Sequence, residues 1–192
     1  KSDIWEGGHR VPFVVVWPGH IDAGSVSTET IALTDVMATC AQIIGSEIPP
    51  DMAEDSVSLL PVLLGKDVDT PLHDIVIHHS GSGHFAVRKG GWKLLLSRSS
   101  GGWSPPSEQA AAKKEWPIVQ LYNLGNDPME TTNLESSHPE KVSELVADLV
   151  IAFKRGRTTS GPDQLNEGWP GRFGPQYLQR FPELTDPTKA SP

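Results

Sequence analysis

The sequence begins Lys1-Ser2-Asp3-Ile4-Trp5-Glu6-Gly7-Gly8-His9-Arg10-Val11-Pro12 and continues Phe13-Val14-Val15-Val16-Trp17-Pro18-Gly19. The first part is polar and contains a glycine pair, at which the backbone can reach positive φ and let another group approach closely. The second part is a short apolar run bounded by Pro and Gly, which is typical of a buried strand. We therefore predict a loop followed by a buried strand, with candidate site residues at the strand end: Lys1, Glu6, His9 and Arg10. A solvated turn before a core strand explains the composition equally well.

Size and charge limit the possible functions. A chain of 192 residues, 37% hydrophobic and 21% charged, can hold one domain or a small domain plus part of another. Its net charge of -8 argues against nucleic acid or an anionic membrane surface as the main partner. The single cysteine, Cys40, excludes an internal disulfide and a cysteine-rich metal site. No apolar run approaches the roughly 20 residues of a membrane span, and without a leader or a starting Met we expect a piece of a longer protein.

Helical patterns occur in the first third of the chain. Thr34 is a suitable N-cap for a helix that begins at Asp35 and ends before Gly45. Its apolar residues recur at helical spacing, which predicts that Cys40 is a core residue, together with Val36, Met37, Ile43 and Ile44. Residues 59–65 suggest a short helical turn, and the polar residues 66–73 suggest a domain boundary.

Strand patterns follow the predicted boundary. Apolar or alternating runs at 75–79, 84–88, 92–96 and 118–122 predict four strands, which we expect to form an antiparallel sheet. The glycine pair Gly90-Gly91 lies between two of these runs and indicates a hairpin turn. A long amphipathic helix should begin at Pro139 and end at Gly156, with one face packed on the sheet. The proline-rich residues 158–192 predict an extended or partly disordered tail.

The order of residues in the first segment resembles the sulfatase family of the alkaline-phosphatase-like superfamily. In that family a lysine stands a few residues before Glu-Gly-Gly, followed by an arginine, a proline, an apolar strand and Trp-Pro-Gly, and all of these elements occur here in that order. Later parts of the chain resemble the C-terminal subdomain of sulfatases: Phe85-Ala86-Val87-Arg88 before Trp92-Lys93-Leu94, and Leu121-Tyr122-Asn123-Leu124 before Asp127-Pro128-Met129-Glu130. The likeness extends from residue 1 to about residue 155.

The resemblance implies an α/β fold class. Residues 1–70 would be the C-terminal segment of the alkaline-phosphatase-like catalytic domain. Residues 71–157 would be the sulfatase C-terminal subdomain, a small four-stranded antiparallel sheet with one long helix. Residues 158–192 would be the extended tail.

The resemblance also implies roles for individual residues. Lys1 would bind the sulfate group of the substrate, and the wall of the site would be shaped by Glu6, Gly7, Gly8 and Arg10. In sulfatases that act on glycans, a histidine of the C-terminal subdomain reaches the rim of the site, and this matches His79 or His78. Because these two are adjacent on a strand and point to opposite faces, at most one of them faces a given site.

The residue types also suggest further substrate-binding candidates, each with a non-functional interpretation. Trp103 lies in a long loop and could stack on a sugar ring, whereas Arg88 and Lys93 could be rim residues or ordinary surface charges on the sheet. The segment from His78 to His84 could equally be a solvated hairpin turn, and a zinc site there is a weaker interpretation.

Cofactors implied by the resemblance are not expected to be bound by this chain alone. Sulfatases use a formylglycine made from a Cys or Ser that is followed by Pro or Ala two residues on and by Arg four residues on. Cys40 lacks both neighbours, and Ser104 has Pro106 but Glu108 in place of the arginine. Family calcium ligands lie near the N-terminus and just upstream of the lysine, so we assign no metal ligand here. The formylglycine and the calcium should lie in a missing N-terminal part, and the fragment alone should be inactive.

These features predict a sulfuric ester hydrolase acting on a sulfated small molecule or glycan. Its partner would be the missing N-terminal part of the same protein, with no nucleic acid and no membrane. Family resemblance implies a periplasmic, secreted or lysosomal location. Two alternatives remain open: a related phosphoester or phosphonate hydrolase, and a non-catalytic carbohydrate-binding module.

Overall fold

The computed structural model of the protein describes residues 2–66, 68–165 and 173–185. The described residues form two compact units. The first contains residues 2–11, 77–154 and 173–185, and the second contains residues 12–66, 68–76 and 155–165. This mixed α/β architecture agrees with the predicted fold class, whereas the predicted domain limits stay a prediction.

A four-stranded sheet forms the centre of the first unit. Its strands are β1 (Val76–His79), β2 (Phe85–Lys89), β3 (Trp92–Leu95) and β4 (Gln120–Asn123), in the order β1-β2-β3-β4. Strands β2 and β3 pair antiparallel through a two-residue turn in which Gly90 has a φ of 55°. Strand β4 pairs antiparallel with β3. The predicted sheet and its hairpin are confirmed.

The long helix packs on one face of this sheet. Helix α5 (Pro139–Arg155) ends at Gly156, whose φ of 63° is accessible to glycine at little cost. Lys89 of β2 donates to Asp148 of the helix over 2.9 Å, and the rings of Phe85 and Phe153 lie 5.1 Å apart, edge to face. The predicted apolar face is buried: Val142, Leu145, Val146, Leu149, Val150 and Phe153.

The N-terminal segment, residues 2–9, packs on the face of the sheet opposite α5. Ile4 is completely buried against Ala86, Leu95 and Tyr122, which alternate with the residues that face α5. Residues Glu6–His9 form a single helical turn, α1. The unit therefore has three layers: the N-terminal segment, the sheet and α5.

The prediction for the first nineteen residues was wrong in two respects. Gly7 and Gly8 lie within α1 and do not have positive φ. Residues 11–17 are outside any strand, and Val14 and Val16 are both 82% exposed. A strand needs a neighbour for its backbone hydrogen bonds, and within the described ranges the four paired strands all lie elsewhere. An apolar run alone does not supply that neighbour.

The second unit contains helices α2 (Asp35–Ile43) and α3 (Leu60–Leu63). Both were predicted, but the inward face of α2 is polar, and Cys40 is exposed rather than in the core. Asp35 is completely buried and accepts hydrogen bonds from His73 Nε2 at 2.9 Å and from the backbone N–H of Val57 at 3.0 Å. These hydrogen bonds turn the polar face of the helix inward. Thr34 is not a side-chain cap, because its hydroxyl donates to the carbonyl of Asp55 instead.

Helical structure also occurs where the sequence predicted loops. Helix α4 (Glu108–Lys113) lies in the long loop between β3 and β4, and the Ser107 side chain caps it by accepting from the N–H of Ala110. Part of the predicted tail forms helix α6 (Pro175–Arg180) and a 3-10 turn (Pro182–Leu184). This part is not extended because it buries three large apolar side chains: Tyr177, Phe181 and Leu184. In the described part of the chain, no helix is long and apolar enough to span a bilayer.

Candidate functional site

The segment of residues 2–4 is held by backbone hydrogen bonds on two sides. The carbonyl of Ser2 accepts from the N–H of Gly81 at 2.8 Å, and the N–H of Ile4 donates to the carbonyl of Ser100 at 2.7 Å. Ser2 has a φ of 72°, which is uncommon for a residue with a side chain and typical of constrained sites. Lys1 itself lies outside the described residues, so its predicted role in sulfate binding stays a prediction.

Glycines allow helix α1 and two loops to approach residues 2–4 closely. A Cβ at Gly8 would lie 2.3 Å from the carbonyl oxygen of Asp3, and a Cβ at Gly81 would lie 1.9 Å from the hydroxyl of Ser2. A Cβ at Gly102 would lie 2.4 Å from both the Ser2 carbonyl and the Asp3 carboxylate. At Gly8 and Gly102 the atoms met are backbone carbonyl oxygens of residues 2 and 3, so a side chain there would require the backbone to shift. The close approach expected at the glycine pair therefore occurs at Gly8 and not at Gly7, and it does not use positive φ.

The carboxylate of Asp3 fixes the loop that carries Trp103. Asp3 is 8% exposed, and its Oδ1 accepts from the backbone N–H of Trp103 at 2.7 Å and of Ser104 at 3.0 Å. The hydroxyl of Ser104 donates to Oδ2. Burial alone would raise the pKa of Asp3, but these hydrogen bonds outweigh it and hold the pKa below its usual value. Asp3 is therefore a charged anchor between the N-terminal segment and this loop.

A buried ion cluster ties α1 to the sheet. Lys93 of β3 is completely buried, with its Nζ 2.9 Å from Glu6 Oε1 and 2.8 Å from Glu130 Oε1. Glu130 also accepts from the backbone N–H of Glu6 at 2.6 Å. The sequence predicted Lys93 as a rim residue or a surface charge, and both predictions were wrong because the side chain is buried. Two carboxylates compensate the charge of the buried ammonium group. Glu6, which was predicted to shape the site wall, is held in place by this cluster.

Burial alone would raise the pKa of Glu6. The hydrogen bond from His9 and the charge of Lys93 instead lower it to about 2. Glu6 is therefore a carboxylate at any pH near neutrality.

The two adjacent histidines lie on opposite sides of β1. The ring of His78 lies 3.9 Å from that of His9, and its Nε2 donates to the carbonyl of Ile4 at 3.4 Å. Burial, with the nearby charges of His9 and Lys93, lowers the pKa of His78 to about 3, so it is neutral. His79 is exposed, and its Nδ1 donates to the carbonyl of Ser80 at 2.9 Å. His78 therefore lies beside the N-terminal segment.

The remaining predicted residues are dispersed. Trp103 is 75% exposed, although its backbone is anchored by Asp3. Arg88 is half-buried, and its Nε donates to the carbonyl of Gly90 at 3.1 Å. Arg10 is exposed, and Gly7 has no neighbour that a Cβ would meet. The structure thus brings Glu6, Gly8 and His78 to the N-terminal segment, links Trp103 to it through Asp3, and places Arg88 at the β2–β3 turn.

A glutamine completes the support of the N-terminal segment. Gln120 is buried, and its Oε1 accepts from Trp5 Nε1 at 3.0 Å and from the hydroxyl of Tyr122 at 2.7 Å. Its Nε2 donates to the carbonyls of Ser97 and Ser99. Sequence reasoning missed Asp3, Gln120 and Glu130 as organising residues. For Glu130 a signal existed, since it ends one of the motifs that carry the resemblance.

Metal ligation is not supported in the described ranges. Among residues 2–66, 68–165 and 173–185, no group of three or more His, Cys, Asp or Glu side chains could hold a metal ion. The acidic side chains of the N-terminal segment are already engaged by Lys93 and by loop N–H groups. The residues that the structure describes therefore do not fit a calcium site.

Comparison with known proteins identifies the family. No family model matches the chain. It is 30% identical over 145 residues to an N-acetylgalactosamine-6-O-sulfatase of Bacteroides thetaiotaomicron, covering 76% of this chain and 27% of that protein. The chain belongs to the sulfatase family. The chain is also 30% identical to human arylsulfatase D over 175 residues, covering 82% of the chain and 29% of the relative. Its identity to bovine arylsulfatase A is 30% over 182 residues, covering 88% of the chain and 35% of that relative.

Solved structures show the same fold. Ps i-CgsB, in a complex with a neocarrahexaose, has a TM-score of 0.52 at 19% identity, covering 77% of this chain and 30% of the other. A protein in complex with its substrate D-glucosamine-2-N,6-O-disulfate has a TM-score of 0.50 at 22% identity, covering 72% and 27%. At this identity the likeness shows the fold alone, which is the alkaline-phosphatase-like fold of sulfatases. The chain spans 27 to 35% of the length of the three curated relatives above.

Proposed function

We propose that the chain is the C-terminal part of an enzyme that hydrolyses a sulfate ester of a sugar. The observation that carries the proposal is the fixed backbone at Ser2: its carbonyl is bound by Gly81, and the next residue is bound by the Trp103 loop. Lys1 directly precedes this constrained residue in the sequence. In this proposal the Lys1 ammonium binds the sulfate and offsets the charge that develops on the leaving oxygen.

The rest of the chemistry is assigned to a missing N-terminal part of the protein. Sulfatases use a formylglycine nucleophile and a calcium ion, and a divalent cation would supply stabilisation of charge on the sulfuryl oxygens. Cys40 and Ser104 lack the neighbours that a formylglycine precursor requires. In the described ranges no group of three or more His, Cys, Asp or Glu side chains could hold a metal ion. We therefore expect the isolated chain to be inactive.

Several observations support a sulfated sugar as the substrate class. Trp103 presents an exposed indole next to the N-terminal segment, and aromatic faces suit the apolar faces of sugar rings. The bacterial relative is named an N-acetylgalactosamine-6-O-sulfatase. Rim contacts would come from His78 or His79 and from Arg88, and the wall from Glu6, Gly7, Gly8 and Arg10. We propose no nucleic-acid or membrane partner, and a periplasmic, secreted or lysosomal location.

A matched pair of lysine variants tests the proposal in the intact enzyme. Lys1→Ala should lower kcat/KM for a sulfated sugar by orders of magnitude, whereas Lys113→Ala, at an exposed position of α4, should leave it unchanged. A loss below about tenfold, worth about 1.4 kcal/mol, removes Lys1 from the site. The same enzyme is assayed with the corresponding phosphate ester. Faster hydrolysis of the phosphate would favour the phosphoester or phosphonate hydrolase.

The non-catalytic alternative makes a different prediction. The exposed Trp103 would serve a carbohydrate-binding module equally well, since stacking requires no nucleophile. Such a module would bind a sulfated sugar with full affinity as the isolated chain, and the intact protein would release no sulfate. Sulfate release by the intact protein therefore rejects this alternative.

A further inference from the structure

The Trp103 loop is built around a buried charge that the chemistry of sulfate hydrolysis does not require. Two backbone N–H groups and one hydroxyl of residues 103 and 104 converge on the Asp3 carboxylate. Gly102 approaches the same carboxylate and the Ser2 carbonyl so closely that a Cβ there would lie 2.4 Å from both. The N–H of Ile4 also donates to Ser100 of this loop. The loop is thus fastened to the residues that directly follow Lys1.

We propose that Asp3 is a positioning residue that determines selectivity for sugar sulfates, by fastening the loop that carries the exposed Trp103 indole to residues 2–4. The proposal rests on the proposed function and adds to it the residue that connects its two binding groups. Residues 2–4, which directly follow Lys1 in the sequence, and the loop that carries Trp103 are then joined by hydrogen bonds rather than being two independent segments.

The physical reason is preorganisation. An exposed indole contributes to binding only if its position is set before the ligand arrives, because ordering a loop on binding costs free energy. The indole of Trp103 is 75% exposed, so packing of the ring does not hold it. The backbone from which the indole projects is fixed instead, through the N–H that Asp3 binds at 2.7 Å. A carboxylate is well suited to this task, since charge-assisted hydrogen bonds are stronger than neutral ones.

The hydrogen-bond pattern separates a positioning role from a role for the negative charge. In Asp3→Asn the amide oxygen can still accept from the N–H groups of Trp103 and Ser104, and the amide NH₂ can donate to the Ser104 hydroxyl. Asp3→Asn should therefore keep the loop in place, whereas Asp3→Ala leaves both N–H groups without an acceptor. Ser104→Ala removes only one of the three hydrogen bonds and gives a milder variant.

The test measures substrate preference in the intact enzyme. For each variant kcat/KM is measured with a sulfated disaccharide and with 4-nitrophenyl sulfate, and the readout is the ratio of the two values. We expect Asp3→Ala to lower the ratio about tenfold, through a higher KM for the disaccharide, which is about 1.4 kcal/mol of lost stacking. Trp103→Ala should lower it equally, and the double variant no further. Asp3→Asn should stay within about twofold of the wild type, and Ser104→Ala should fall in between.

A second tryptophan variant is the control, and several results would contradict the proposal. Trp116→Ala, at a partly exposed tryptophan after α4, should leave the ratio unchanged. A structural role alone would lower the thermal stability of Asp3→Ala without changing the ratio, and that result overturns the proposal. The proposal is also overturned if the double variant lowers the ratio by the product of the two single effects, or if Asp3→Asn lowers the ratio as much as Asp3→Ala does. If Asp3→Ala does not fold, an unchanged ratio in Ser104→Ala overturns it. A wild-type protein inactive on both substrates refutes the proposed function and this inference together.

Discussion

Replacing Lys93 by methionine probes the ion cluster beneath the N-terminal segment. Methionine keeps the length and apolar character of the lysine stem but removes the ammonium group. In the folded protein Nζ lies 2.9 Å from Glu6 and 2.8 Å from Glu130, and the lysine side chain is completely buried. The variant therefore leaves two buried carboxylates facing each other without a cation.

Two arguments give the size of the effect. Removing one partner of a buried ion pair costs about 3–5 kcal/mol, because an uncompensated charge stays buried. Independently, the pKa of Glu6 is lowered from 4.5 to about 2, a shift worth about 3 kcal/mol in all, of which Lys93 supplies part. The matched control is Lys89→Met on the neighbouring strand. Lys89 pairs with Glu144 and Asp148 but is 41% exposed, so its loss should cost about 1 kcal/mol or less.

Urea unfolding of the two variants at neutral pH is the appropriate assay, with the midpoint compared at constant slope. The deficit of Lys93→Met should also shrink as the pH falls. A carboxyl whose folded pKa is lowered stabilises the protein above its unfolded pKa of about 4.5 and loses this contribution as the pH approaches 2. Without Lys93, protonation of Glu6 relieves the repulsion instead. A loss no larger than that of Lys89→Met, or a deficit independent of pH between 5 and 3, would refute this account.

Two further stability predictions follow from close contacts in each unit. Gly8→Ala should destabilise the protein by about 2 kcal/mol in urea unfolding, because its Cβ would lie 2.3 Å from the Asp3 carbonyl. Gly7→Ala, whose Cβ would meet no atom within 4 Å, should stabilise the protein by up to about 1 kcal/mol. Equal changes in unfolding free energy for the two variants would contradict the contact at Gly8. Asp35→Ala should cost about 3 kcal/mol, since it strips His73 and two backbone N–H groups of their acceptor. The difference in unfolding free energy between Asp35→Ala and the wild type should become smaller as the pH falls below 3.8, because the pKa of Asp35 is lowered in the folded state. A difference that does not change with pH would contradict a role for the charged carboxylate.

Much of the first unit was predictable because its signals are local. Alternating or β-branched runs, the Gly90-Gly91 turn and the apolar face of α5 each specify their element within a few residues. Helix α2 was also found from its spacing, but its buried face was assigned incorrectly. The apolar pattern favoured Cys40 as a core residue, whereas hydrogen bonds from His73 and Val57 turn Asp35 inward. Those partners are distant in sequence, so no local pattern reveals them.

The candidate site was harder to predict for the same reason. The motif containing Glu6 and Gly8 was recognised, but the contacts that organise it come from residues about 90 to 120 positions away, such as Lys93 and Glu130. The sequence predicted Lys93 as a rim residue or a surface charge, since lysine is rarely buried without partners. Its partners become visible only when the sheet and the N-terminal segment are assembled.

The attachment of the N-terminal segment to the far face of the sheet has a consequence for biosynthesis. The N–H of Glu6 binds a carboxylate 124 residues further along the chain. At about 5–20 residues per second, a ribosome needs roughly 6–25 s to make that stretch. Throughout this interval the apolar side chains of Ile4 and Trp5 have no finished surface to cover them. Nascent chains should therefore expose this region to chaperones until β4 and Glu130 have left the exit tunnel.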